Sequence, residues 1–413
     1  MAIVKPFRAW RPRNDIAAQV AALPYDVMNR EEAAQMAKDN PLSFLHVSRA
    51  EIDLPEVQDL HSHQVYDQAA ANFKKMIADG ILVQDEAPGY SIYAQSMQGR
   101  KQYGLVGCSA IEDYFSGVIK KHEFTRPEKE ADRIHHMKKI QAHVGPIFLT
   151  FPDHPGLENI IRAQTQNHPP DIDFTAEDGV GHSVWVIRDE SINREIERIF
   201  TEEIPSTYIA DGHHRTASAA KVGKALQQEN PNHTGNEEYN FFLSVLFPAS
   251  HLAIMDYNRV VTDLNNLSVE AFLAETEKRF IVEKSESIYR PDALHHLTMY
   301  LNKQWYRLIV REHFIHNDPI GQLDVTILQD ALLSPVLGIT DPRTDKRIDF
   351  VGGIRGLEEL SRRVDSGEMQ VAFALYPVSL NQLMNIADSG QVMPPKSTWF
   401  EPKLRDGLFI HSF

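Results

Sequence analysis

The feature that most constrains the fold is a junction where an apolar strand runs directly into a helix through one glycine. Residues 207–210 (TYIA) have the β-branched and aromatic composition of a strand. Residues 216–226 are rich in alanine, the strongest helix former. The segment between them reads DGHHR, residues 211–215, and its glycine permits a tight turn. The sequence therefore predicts a strand, a turn and a helix in immediate succession.

Strand and helix signals alternate on both sides of this junction, which predicts an α/β (α+β) fold. The predicted strands are residues 90–97, 102–111, 118–119, 146–151, 183–187, 240–248, 305–310 and 370–375. The predicted helices are residues 29–38, 64–79, 126–141, 157–166, 268–280 and 322–333. The first two strands are separated by Gly99 and are expected to form a hairpin.

The length of 413 residues favours two or three domains, at about 150 residues per domain. We predict an N-terminal α/β region at 1–112, a core at 113–260 and a C-terminal α/β region with an ordered tail at 261–413. Within the core, residues 152–182 form a polar insertion whose Pro, Asn, Asp and His content predicts surface loops around one helix.

Composition excludes several classes of partner. The net charge of -15, from 57 acidic and 42 basic residues, argues against nucleic acid. The N-terminal segment is charged and no apolar run approaches the roughly 20 residues of a membrane helix, which predicts neither export nor a membrane. A single cysteine, Cys108, allows no internal disulfide and fits a reducing, cytoplasmic compartment.

The DGHHR segment has the residue types of a phosphate site. The amides that follow Gly212 begin a helix and lack internal partners, so they attract an anion. Arg215 adds a planar fork of donors, and His213 and His214 add further ligands. Asp211 is a candidate to hold Mg²⁺ or to orient a histidine. The alternative is an ordinary capped helix with solvated histidines.

A second cluster, residues 121–126 (KHEFTR), lies at another strand-to-helix transition. Here His122, Glu123, Thr125 and Arg126 offer a base, a hydroxyl and an anion ligand within one turn. Charge runs are more often the solvated face of a helix, and that alternative stays open.

Two further segments supply candidate substrate ligands. The glycine-rich residues 347–356 allow close backbone approach, and Arg355 is a candidate anion ligand. The tail at 393–403 has proline, aromatic and lysine content unusual for a frayed terminus. We expect it to be ordered, with Lys396 as a candidate substrate ligand.

These motifs resemble the family classed as domain of unknown function 1015 along almost the whole chain. The resemblance rests on six segments in order, which are residues 23–27 (LPYDV), 41–46 (PLSFLH), 121–126, 210–215, 348–353 (IDFVGG) and 395–400 (PKSTWF). The family name itself implies no activity.

Residues 123–133, 144–147 and 209–217 also resemble, in order, the ParB and sulfiredoxin fold, in which a strand, a helix and a Gly-x-x-Arg-like turn enclose a nucleotide. This implies a ParB/sulfiredoxin-like mixed-sheet core. Free serine kinases resemble the same scheme, which implies that Glu123 is the base, that residues 211–215 and Thr216 bind phosphate, and that ATP or ADP and Mg²⁺ are the cofactors. Sulfiredoxin chemistry needs a cysteine beside the turn, and this chain has none there.

The leading hypothesis is a phosphotransferase on a small hydroxy metabolite, with serine or phosphoserine the first candidate. Glu123 would accept the hydroxyl proton, and His213, His214 and Arg215 would neutralise the transferring phosphoryl group. The alternatives are a non-catalytic, nucleotide-binding regulatory protein and a hydrolase acting on phosphoserine. A homodimer stays open.

Overall fold

The computed structural model describes residues 1–413 as two compact units. The first comprises Met1–Leu252 together with Pro402–Phe413, and the second comprises Ala253–Glu401. The chain thus leaves the first unit once and returns to it for its last residues.

The strands are numbered in chain order. They are β1 (Val4–Lys5), β2 (Trp10–Pro12), β3 (Leu82–Gln84), β4 (Ser91–Met97), β5 (Arg100–Ala110), β6 (Ile119–Lys120), β7 (Ala142–His143), β8 (Ile147–Phe151), β9 (Ile172–Thr175), β10 (Gly181–Val186), β11 (Thr207–Asp211), β12 (Phe241–Pro248), β13 (Ile254–Met255), β14 (Tyr257–Val261), β15 (Phe280–Ser285), β16 (His296–Leu301), β17 (Gln304–Val310), β18 (Ile348–Gly352), β19 (Val371–Ala374), β20 (Trp399–Phe400) and β21 (His411–Ser412).

The α-helices follow the same convention. They are α1 (Ala17–Val20), α2 (Arg30–Ala37), α3 (Leu45–Ser48), α4 (His63–Ala78), α5 (Ile111–Ser116), α6 (Pro127–Ile140), α7 (Pro155–Asn167), α8 (Glu190–Glu203), α9 (His213–Glu229), α10 (Val269–Glu277), α11 (Asp324–Leu328), α12 (Glu358–Asp365) and α13 (Leu380–Asp388). None of them is long and apolar enough to cross a bilayer.

The first unit is built on a mixed sheet of nine strands. Its order is β6-β11-β8-β12-β5-β4-β10-β9, with β1 beside β5. Strand β11 is parallel to β6 and β12 is parallel to β8, whereas the remaining neighbours are antiparallel. This mixed sheet and its helices confirm the predicted α/β class. Every residue of β12 is buried, which accounts for its continuous apolar run.

The sheet crosses the boundary predicted at residue 112. Strand β5, from the predicted region 1–112, pairs along six residues with β12, from the predicted region 113–260. Residues on both sides of position 112 therefore share one sheet and one unit. A composition shift cannot reveal such pairing, because the two strands lie far apart in sequence.

Two apolar clusters stabilise the first unit. One packs the sheet against α7, α8 and α9 and includes Leu149, Phe200 and Phe242, each fully buried. The other gathers the N-terminal helices around Phe44 and Phe73 and includes residues next to β7 and in the C-terminal segment. Burying such a side chain contributes about 1.5–3 kcal/mol, so both clusters hold the N-terminal region to the sheet-bearing part.

The predicted polar insertion, residues 152–182, is more ordered than expected. Its predicted helix is present as α7, and it also contributes β9, which pairs with β10 at the edge of the sheet. Only Ile172 of β9 is fully buried. An edge strand with this little apolar content carries no clear strand signal in the sequence.

The second unit is a six-stranded antiparallel sheet of order β15-β17-β16-β19-β14-β18. Buried Val260, Tyr300, Ala372 and Leu360 form its core, the last of these on α12. Near the C-terminus, β20 pairs with β13 in this unit and β21 pairs with β7 in the first unit.

Candidate functional site

The junction between β11 and α9 has the predicted strand, turn and helix. Gly212 occupies the N-cap position with φ of 91°, in the left-handed region, and offers no side-chain cap. The helix begins at His213, so all three residues HHR form its first turn rather than a loop before it. The first amides of α9 are therefore available to an anionic ligand.

Gly212→Ala is expected to destabilise the protein by about 1–2 kcal/mol, because an L-residue is strained at this φ. The new β-carbon would also lie 3.2 Å from Nε of Arg215. Gly99 has φ of 78°, and a β-carbon there would have nothing within 4 Å, so Gly99→Ala isolates the backbone strain. Urea unfolding of both variants is the measurement, and a cost at Gly212 no greater than at Gly99 would contradict the crowding at Arg215.

Arg215 is a buried cation with an unused donor. Its side chain is nine-tenths buried, and Nη1 donates to the Pro146 carbonyl at 2.8 Å. Its Nε has no partner, and the residue lines a 30 Å³ cavity shared with Asp406, whose Oδ1 is also unpartnered. Burial lowers the pKa of Arg215, but Asp26, Asp211 and Asp406 outweigh burial and raise it, so the charge is permanent.

Two histidines of the first turn hold the second sequence cluster in place. The backbone N–H of Arg126 donates to Nε2 of His214 at 3.0 Å, and the backbone N–H of His122 makes a longer contact of 3.5 Å with Nε2 of His213. The loop at 121–126 therefore lies over the first turn of α9. The two motifs, about 90 residues apart in sequence, form one site.

These contacts determine the state of both rings. Because Nε2 accepts a hydrogen bond in each, the proton of the neutral imidazole resides on Nδ1. Burial lowers the pKa of His213 well below its ordinary value, and His122 lowers it further. Burial and Lys129 also lower the pKa of His214. Both rings are therefore neutral near pH 7, and positive charge at the turn comes from other residues.

Glu123, from the second sequence cluster, places its carboxylate near this turn. Its Oε2 lies 4.0 Å from Nδ1 of His213, and its side chain is 45% exposed. The Nδ1 proton of His213 faces a carboxylate that solvent and ligands can reach. This arrangement suits an accessible proton acceptor beside a neutral histidine.

The other predicted ligands of the two motifs are less accessible. His122 is buried. Burial lowers its pKa to about 4, although the charge of Asp211 acts to raise it. Thr216 is fully buried and its hydroxyl donates to the Gly212 carbonyl at 2.9 Å. Thr125 is half-buried beside Glu130. These three side chains support the turn and the loop from beneath, whereas the Arg126 side chain is exposed.

Lys403 is the residue that sequence reasoning missed. Its Nζ lies 3.0 Å from Oδ2 of Asp211, and only 13% of its side chain is exposed. The Gln95 side chain donates to its carbonyl at 2.9 Å. Burial raises the pKa of Asp211, but Lys403 and Arg215 outweigh burial and hold it well below its ordinary value. In the sequence, only the unusual lysine content of the tail at 393–403 pointed to this residue.

The predicted Mg²⁺ ligand, Asp211, does not fit a metal here. Its Oδ1 accepts the Gly212 N–H at 2.8 Å and its Oδ2 is paired with Lys403. No group of three or more His, Cys, Asp or Glu side chains is placed to hold an ion. One carboxylate that already binds an ammonium is a poor site for a divalent cation.

Arg355 and Lys396 belong to the second unit. Arg355 ends a short 3-10 helix, Gly353–Arg355, and its side chain is exposed. A β-carbon at Gly353 would lie 2.4 Å from Oδ1 of Asp256, so the predicted close backbone approach is present. Lys396 lies over the ring of Tyr257, 5.6 Å from its centroid. Both stay predicted substrate ligands.

Together, fold and site define a mixed α/β protein whose main sheet leads through a glycine turn to a helix N-terminus with a buried arginine. The chain belongs to the family described as protein of unknown function (DUF1015), whose model matches residues 4–326. No curated protein matches it.

Three solved structures show distant likeness. A free serine kinase in complex with AMP is 11% identical, with a TM-score of 0.35 over 72% of this chain and 86% of that chain. SbnI with a C-terminal truncation from Staphylococcus aureus is 10% identical, with a TM-score of 0.36 over 73% and 85%. A conserved hypothetical protein from Pyrococcus furiosus is 14% identical, with a TM-score of 0.35 over 73% and 93%. Matches at this level transfer no residue role to this chain.

Proposed function

We propose that the first unit binds the phosphates of ATP or ADP at the N-terminus of α9 and transfers a phosphoryl group to a small hydroxy metabolite, with serine the first candidate. The observation that carries the proposal is the 4.0 Å separation between Glu123 and His213 on the first helical turn. It puts a proton acceptor beside an anion site, which phosphoryl transfer requires.

The phosphate is held by three kinds of group. The first amides of α9 donate hydrogen bonds along the helix dipole. Arg215 supplies a buried charge with an unused Nε–H. Lys403 supplies a second charge, which its pair with Asp211 keeps beside the turn. Charge stabilisation and positioning are the main requirements of phosphoryl transfer, and these residues meet both.

In the reaction, Glu123 accepts the proton of the acceptor hydroxyl, and that oxygen bonds to the terminal phosphorus. The bond between this phosphorus and the bridging oxygen of the nucleotide breaks, and the shortened nucleotide leaves with the electron pair. The neutral His213 lies beside this base, with Nδ1 4.0 Å from Oε2 of Glu123, which is beyond hydrogen-bond distance. No step is assigned to a metal, because Lys403 holds the position at Asp211 where one was expected.

Thermal unfolding with ATP, ADP, CTP, serine and phosphoserine tests this function. A ligand that prefers the folded state at 100 times its Kd stabilises by about 2.7 kcal/mol and raises the Tm. We expect a rise with ATP or ADP that persists in EDTA, because the charges at the turn belong to the protein. Arg215→Lys should lose most of the rise, since lysine cannot reproduce the guanidinium fork.

The exposed Arg162 provides the control, and Arg162→Lys should retain the full rise in Tm. A rise without turnover would favour the non-catalytic regulatory protein. Phosphate release from phosphoserine without nucleotide would favour the hydrolase. No rise with any nucleotide would overturn the proposal.

A further inference from the structure

A cavity of 420 Å³ lies in the first unit between the N-terminal segment around Tyr25 and the helices α3, α4 and α6. Its volume is within the range of about 300–1,000 Å³ of small-molecule sites. Its wall includes Tyr25 and Asp26 from the LPYDV motif and Arg49 from the segment after PLSFLH. Neither motif supplies a phosphate ligand proposed at the turn.

The largely buried charges on the wall of this cavity are paired with one another. Arg133 forms an ion pair with Asp132 at 2.6 Å, and its guanidinium stacks on the ring of Tyr25 at 3.9 Å. Arg49 forms an ion pair with Glu51 at 2.7 Å. Because the charges within each pair cancel, these residues line the cavity but do not attract a charged ligand. Other residues must recognise such a ligand.

Three charged residues that line the cavity, Asp26, Glu128 and Lys129, make no ion pair or side-chain hydrogen bond with the protein. Each is exposed. Unpaired surface charges are common, but these three border one concave site and include both signs, so a ligand with both signs of charge would satisfy Lys129 and a neighbouring carboxylate.

Asp26 and Lys129 lie close to the turn. Burial lowers the pKa of His214, Lys129 lowers it further and Asp26 opposes them. The pKa of Arg215 is lowered by burial and raised most by Asp26. Tyr25 and Arg133 also line the 30 Å³ cavity that contains Arg215. The larger cavity is therefore adjacent to the proposed phosphoryl site.

We propose that this cavity binds a small zwitterion of the amino-acid class, whose ammonium group pairs with Asp26 and whose carboxylate pairs with Lys129. Its volume admits amino acids larger than serine. The role of this zwitterion as phosphoryl acceptor rests on the proposed function. Its binding in the cavity is independent of that function.

Calorimetric titration of the full chain without nucleotide tests the inference. The probes are L-serine, L-threonine and L-homoserine, with glycerate, which lacks the ammonium, and ethanolamine, which lacks the carboxylate. We expect at least one amino acid to bind about tenfold or more tighter than either analogue, since each analogue forfeits a charge-assisted contact. Asp26→Asn should remove the preference over glycerate, and Lys129→Met the preference over ethanolamine.

The controls are Asp39→Asn and Lys74→Met, which change exposed residues outside the cavity lining and should preserve both preferences. The inference is overturned if no amino acid binds, if the analogues bind equally well, or if the two cavity variants keep both preferences. Because no nucleotide is present, such a failure is separate from a failure of the nucleotide-dependent rise in Tm.

Discussion

Glu123→Gln is expected to lower the rate of phosphoryl transfer by about 10²- to 10⁴-fold, the usual contribution of a general base. Glutamine has the shape of glutamate but cannot accept the hydroxyl proton. Nucleotide affinity should stay nearly unchanged, because the amides of α9 and Arg215 are intact and the change removes only a negative charge. Steady-state turnover and the nucleotide-dependent rise in Tm measure the two effects separately.

Glu86 provides the matched control for this substitution. It is exposed and lies far along the chain from both motifs, so Glu86→Gln should leave turnover and binding as they are. Equal losses of turnover and nucleotide binding in Glu123→Gln would assign Glu123 to the binding of nucleotide. Full turnover in Glu123→Gln would show that Glu123 does not act as the base.

Lys403→Met is expected to lower the free energy of unfolding by about 2 kcal/mol at pH 7, because truncating one member of a buried ion pair leaves the other charge uncompensated. The cost falls at the lower end of the range, since the Asp211 side chain is 31% exposed. The variant should also bind nucleotide more weakly, because one of two cations at the turn is lost. Urea unfolding and the rise in Tm with ADP measure these effects.

The effect of Lys403→Met depends on pH in a defined direction. The pKa of Asp211 is depressed in the folded protein, so the pair stabilises above the pKa of an unfolded aspartate, about 3.9. Its contribution is lost as the pH falls from there towards the folded-state pKa. The difference in stability between wild type and variant should therefore shrink below about pH 4.

Lys38 is an exposed lysine away from the turn, and Lys38→Met controls for the loss of one positive charge. A difference between wild type and Lys403→Met that is constant down to about pH 2 would show that Asp211 is not the partner responsible.

Several elements were predictable from sequence because their signals are local. The alanine-rich helix, its glycine turn and the preceding strand appear as α9, Gly212 and β11. The capping residue Asn29 begins α2 with a complete capping box. Hydrophobic periodicity and capping depend on residues within about one turn or one strand. Both signals can therefore be read from the sequence. The anion-attracting helix N-terminus follows from the same local information.

The composition of the site was decided by the tertiary structure. Lys403 lies 192 residues from Asp211, and only the return of the chain to the first unit brings them together. The neutral state of His213 depends on burial and on a backbone donor from a distant loop. The sequence alone specifies these elements and the glycine turn at a helix N-terminus, because they depend on neighbouring residues. Only packing decided which charges meet there, because ion pairing and desolvation depend on distances in space that residue spacing does not encode.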